Sequence, residues 1–155
     1  MDLQVIANGL ATTVGTVTAT NGSQTESATA TADLPNKVGL AALLVYPPIG
    51  TLNVVMGPRL DDQYDFFIKL LRDPVDMPDR TRWLYAWATA LRGRVQTSWS
   101  LGISGVTQAQ VTAMRTQIEG ERYAGLLNTR GGDLFDVVEL TVRVWVWELA
   151  VGVGP

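Results

Sequence analysis

Leu134-Phe135-Asp136-Val137-Val138-Glu139-Leu140-Thr141-Val142-Arg143-Val144-Trp145-Val146-Trp147-Glu148 alternates over most of its length, with aliphatic residues at every second position. Successive side chains of an extended chain point to opposite faces, so Val138, Leu140, Val142, Val144 and Val146 share one side. Val137, Glu139, Thr141, Arg143, Trp145 and Trp147 share the other. The first side is aliphatic throughout and belongs in a core. The second mixes charges with two tryptophans, an odd composition for plain solvent exposure, and it suggests contact with something else. Upstream, the residues from Glu121 read as a preceding strand. Arg130-Gly131-Gly132-Asp133 then reads as a turn whose two glycines tolerate positive φ. The expected unit is a long C-terminal β-hairpin.

Working outward, the chain has 155 residues, enough for one domain with a proper core. Its hydrophobic fraction is 46% and its charged fraction 17%, the balance of a folded globular protein. Twelve Lys and Arg against fifteen Asp and Glu give a net charge of −3, which is ill suited to gripping nucleic acid through its phosphates. The sequence has no Cys and no His. Disulfides, Cys/His metal sites and Ser-His-Asp or Cys-His catalysis are thereby excluded. Met1-Asp2-Leu3-Gln4 carries no basic segment and leads into no signal-type apolar run, and no stretch approaches the roughly 18 apolar residues of a membrane span. A chain that stays in the cytoplasm where it is made, with no membrane partner, is expected.

Leu3, Ile6, Ala7, Leu10 and Val14 recur at helical spacing, predicting an amphipathic helix over 2–14 that ends near Gly15. Residues 16–37 are Thr, Ala, Ser, Asn and Gln with little to bury, and read as a flexible arm. Asn21-Gly22 is also a type I′ turn signal, so a hairpin is the rival reading. Residues 38–46 are apolar before Pro47-Pro48, which forces extended backbone. Residues 51–56 are a short β-prone run, and 64–71 a strand with Phe66, Ile68 and Leu70 on one face.

A loop of aspartates and prolines follows, in which Asp76 or Asp79 can cap a helix over 79–93. Trp83, Leu84, Trp87, Ala88 and Leu91 are its buried stripe. Residues 101–105 read as a turn between helix and strand, and 109–119 as a strand, with a helix the alternative that its Gln and Ala content keeps open. The order predicts an α+β domain: one mainly antiparallel sheet with helices packed on it and the long C-terminal hairpin.

Little in the sequence carries chemistry. Asp61 and Asp62 are adjacent, and on an extended chain they point apart, so they are poorly placed to share a proton or a metal. A solvated loop is the plainer reading. The glycines at 102 and 105 fit neither a phosphate loop nor a dinucleotide fingerprint. No catalytic, cofactor or metal residues are expected. Arg130, Gly131, Gly132, Asp133, Arg143, Trp145 and Trp147 are instead the candidate contacts, because Arg and aromatic residues are enriched at protein interfaces. The alternative is that one of the helices covers the Trp145/Trp147 face.

Four segments, in order, resemble the tail terminator (tail-completion) proteins of long-tailed bacteriophages. They are the helix Leu3-Gln4-Val5-Ile6-Ala7-Asn8-Gly9-Leu10-Ala11; Val45-Tyr46-Pro47-Pro48 with Val54-Val55-Met56-Gly57-Pro58; Tyr64-Asp65-Phe66-Phe67-Ile68-Lys69-Leu70-Leu71-Arg72-Asp73; and the strand, turn and strand from Arg122 to Glu148. The match is one of pattern and order, without a diagnostic motif, and the Thr/Ala stretch 16–37 is longer than the family's pattern. The resemblance implies a structural virion protein of the tail and neck, assembled in the host cytoplasm. It implies a homo-oligomeric, hexameric ring that caps the tail tube protein, ends its polymerisation and meets the head–neck connector. Genomic DNA passes only in transit through the lumen, which suits an acidic chain. Another neck or tail protein (a head–tail stopper or adaptor, or a tube subunit) fits the same pattern. A small hydrolase using Asp61, Asp62 or Asp133 is the reading from a different class.

Overall fold

The computed structural model describes residues 2–34, 40–51, 59–73, 79–121 and 134–149. Two helices, α1 (Leu3–Gly15) and α2 (Asp79–Thr97), pack on one face of a five-stranded sheet. The sheet order is β3 (Thr29–Thr31), β4 (Ala42–Thr51), β5 (Arg59–Arg72), β7 (Phe135–Leu149), β6 (Val106–Glu121). Every neighbouring pair is antiparallel except β3 with β4. A separate two-stranded hairpin, β1 (Thr18–Asn21) with β2 (Gln24–Ser27), lies outside this sheet. The fold is α+β, as the element order predicted.

The alternation of β7 decides where the core sits. Val138, Leu140, Val142, Val144 and Val146 are all buried, in one cluster with Phe66, Ile68 and Leu70 of β5 and with both helices. Each such side chain contributes about 1.5–3 kcal/mol relative to leaving it in water. A charge at Val142 would therefore break the layer. Ile6, Leu10 and Val14 are the buried stripe of α1, and the Asp2 carboxylate caps this helix by accepting from Gln4 N–H at 2.8 Å. Gly9, a helix interior residue that costs about 1 kcal/mol against Ala, is explained by close approach: a Cβ there would stand 2.5 Å from Ile103 Cδ1. Trp83, Leu84, Trp87, Ala88 and Leu91 are buried as read, and the stripe continues to Val95 because α2 runs to Thr97 rather than to 93.

Several expectations are corrected. Residues 18–31 are not a free arm but strands β1, β2 and β3, held because Val17 and Ala19 bury under α2. The hairpin loop is Gly22-Ser23, with Asn21 paired to Gln24; positive φ (+64°) falls on Gly22 and not on its neighbours, as in a type II′ rather than a I′ turn. Asp61-Asp62 is not a loop: β5 begins at Arg59, and Asp62 is buried. The strand read at 109–119 is the direct partner of the long strand, with Val111 opposite Val142 and Arg115 opposite Glu139. Residues 98–105 form the turn expected there, with Gly102 and Gly105 at positive φ. The run 54–58, Asp76, the strand read from Arg122 and the Arg130–Asp133 turn lie outside the described residues.

Candidate functional site

Both helices and the hairpin occupy the Val138–Val146 side of the sheet. Neither helix covers Trp145 and Trp147, which overturns the reading in which one of them does. The opposite face is built row by row from the strand register. Lys69, Glu139 and Arg115 stand side by side on β5, β7 and β6; Phe67, Thr141 and Ala113 form the next row; then come Asp65, Arg143 and Gln110, followed by Gln63, Trp145 and Gln108. Tyr46 and Ile49 extend two of these rows onto β4, opposite Phe67 and Asp65.

The charges on this face are paired across strands. Glu139 receives Lys69 Nζ at 3.5 Å and an Arg115 guanidinium nitrogen at 3.4 Å. Arg143 grips Asp65 with two prongs, Nε to Oδ1 at 2.8 Å and the terminal nitrogen to Oδ2 at 3.2 Å. The Asp65 hydrogen bond and charge raise the Arg143 pKa above its ordinary value, so the guanidinium stays charged at any working pH. Lys69 also lies over the Tyr46 ring, 4.7 Å from its centroid. Between the charges stand half-buried Tyr46, Phe67 and Trp145, with Trp147 at 39% exposure and Ile49 at 68%. Aromatic and Arg side chains are enriched in binding surfaces, and pairing each charge across strands leaves a partner no lone ion to desolvate.

Of the predicted contact residues, the structure brings Arg143, Trp145 and Trp147 onto one face. Arg130, Gly131, Gly132 and Asp133 lie outside the described residues. Tyr46, Phe67, Asp65 and Lys69 were missed, although the alternation of 64–71 placed Phe67 and Lys69 on the non-core side.

Two buried polar nodes brace the sheet from the helix side. Arg72, at the end of β5, donates to Glu26 from Nε at 2.9 Å and from a terminal nitrogen at 3.1 Å, and stacks 4.9 Å from the Trp83 ring. Trp87 donates its indole N–H to the same carboxylate at 2.8 Å, so Glu26 pins the hairpin to α2. Arg80 at the start of α2 holds fully buried Asp136 through bonds of 3.0 and 2.8 Å. Asp136 also accepts the backbone N–H of Glu119 at 2.9 Å, where β6 bulges with φ of +52°. Arg80's own hydrogen bond to Asp136 raises the Arg80 pKa above its ordinary value. Asp62 accepts from Tyr64 hydroxyl at 3.4 Å on the core side, away from Asp65.

No helix among the described residues is long and apolar enough to cross a membrane. Neither protein-family models nor curated proteins give a match to this chain.

Proposed function

We propose that this chain is a structural subunit that works by binding: a tail terminator of a long-tailed phage, which assembles as a hexameric ring, caps the tail tube and meets the head–neck connector. The observation that carries the reading is the sheet face opposite α1 and α2, where Trp145, Trp147, Phe67 and Tyr46 alternate with the Asp65–Arg143 pair and the Lys69–Glu139–Arg115 cluster. Such a face gains by covering its aromatic rings, and its paired charges suit the rim of an interface better than lone ions would. The order of segments that resembles terminators supplies the class of partner, and the acidic balance of the chain suits a lumen through which DNA slides.

In this role one surface of the ring mimics the next layer of the tube and the other refuses another tube subunit. No step requires a catalytic group. The test is imaging of the purified protein with tail tubes: rings seated at tube ends support the reading, and incorporation along the tube length would identify a tube subunit instead.

A further inference from the structure

The two margins of the sheet are unlike each other. On one, β6 is sixteen residues long and pairs, among the described residues, only with β7. It carries no Pro and no Lys, although register shifts interrupt its pairing with β7 near Gln108, Ala113 and Glu119. On the other, β3 is three residues long, and the β4 margin beyond it contains Pro47 and Pro48, which have no N–H to offer. Pairing beyond that end must therefore centre on β3.

The side chains at these margins differ in size. Met114 lies opposite Leu140, so it projects from the helix side of the sheet, and Ile118 stands four residues further along β6, just before the bulge at Glu119. Both are exposed, at 47% and 37%. At the opposite margin, on the same side of the sheet, α1 and residues 28–33 enclose an open groove of about 500 Å³. Its walls are short side chains, with Asn8, Ala11, Thr12 and Gly15 from α1 facing Ala28 and Ala30.

We infer that a second copy of this chain occupies each margin: β6 of one copy adds to β3 of the next, and Met114 and Ile118 seat in the neighbour's groove between α1 and β3. The topology supports this occupant. If the sheet continues with its helices on the same side, β6 and the neighbour's β3 must run antiparallel, because β3 runs opposite to β6 within each copy. Antiparallel addition is the favoured sense for short strands. Met114 and Ile118 are uncharged, while Asp33 lines the groove and Glu119 and Glu121 follow Ile118 on β6, so the contact should weaken at low salt, where acidic groups repel most. A heterologous contact of this kind, repeated, generates a ring when the rotation closes. The inference deepens the ring reading and rests on it for closure, but the contact itself does not depend on a tail.

Mass photometry of three proteins tests it: the wild type, Met114→Lys/Ile118→Lys, and Asn8→Arg/Thr12→Arg, all substitutions being at exposed positions. The wild type should be oligomeric and each variant monomeric. The two variants mixed should give a dimer that grows no further, since each retains one intact margin. A monomeric wild type at high concentration, or oligomers that survive both pairs of substitutions, would overturn the contact. Should a charged variant fail to fold, Met114→Cys and Thr12→Cys replace them, because the chain has no cysteine of its own. A disulfide joining the two different variants is expected, and one joining two Met114→Cys copies would contradict it. Edge-to-edge oligomers that never cap tubes would sink the tail reading alone; tail capping by both charged variants would sink the edge contact alone.

Discussion

Arg143 on β7 holds Asp65 on β5 by two parallel bonds of 2.8 and 3.2 Å, on the face of the sheet that neither helix covers. The pair ties the long Arg143 side chain to Asp65 in the row between Trp145 and Thr141, so that neither charge stands alone at that surface. Replacing Arg143 by Gln keeps length and polarity but leaves Asp65 bare at that surface. Assembly should weaken by roughly tenfold or more while the melting temperature barely moves, since exposed pairs add little to folding. Paired thermal melts and sedimentation profiles would check both halves.

Trp147→Ala should act in the same direction. Trp147 is 39% exposed, so its loss removes apolar contact from the binding face as well as packing within the sheet, and assembly should weaken more than folding does. Equal oligomer stability in wild type and variant would remove Trp147 from the surface.

The Arg80–Asp136 pair should behave differently because Asp136 is fully buried. Arg80→Met strips a buried carboxylate of its cation and should cost about 3 kcal/mol in urea unfolding. The Arg80 pKa lies above its ordinary value in the folded protein, so its contribution is fully present below that ordinary value and is lost only as pH rises through the folded one. The stability difference between wild type and Arg80→Met should accordingly stay constant from pH 8 to pH 10.

Glu26→Ala removes the acceptor shared by Arg72 and the Trp87 indole. The expected loss is about 2 kcal/mol. Residues 18–27 should then exchange their amide hydrogens sooner than α2 does, because a two-stranded hairpin with so little apolar surface is not stable by itself.

Much of this architecture was legible because it is local. The period-two run from Val137 to Trp147 gave the faces of β7, and the Trp83–Leu91 stripe gave the buried side of α2. What escaped depends on residues distant in sequence. Nothing around Glu26 signals that Arg72 and Trp87 converge on it, so the hairpin looked too polar to fold. Asp62 looked solvated because its neighbours are polar, whereas strand pairing with Val146 carries it into the sheet. Which face the helices choose is also non-local: both faces of β7 contain large apolar residues, and the continuous aliphatic side of β5 and β7 together wins. The candidate surface was half legible, since Arg143, Trp145 and Trp147 came from alternation alone, but their companions Asp65, Phe67 and Tyr46 came only from register.

The central claim is that this chain closes a ring through unlike surfaces and caps a tube. Negative-stain electron microscopy of the purified protein, alone and with tail tubes, tests it most directly. Closed sixfold rings, which appear at tube ends once tubes are added, are the predicted result; open tubes built from the protein alone, or particles that remain monomeric and leave tube ends bare, would contradict it.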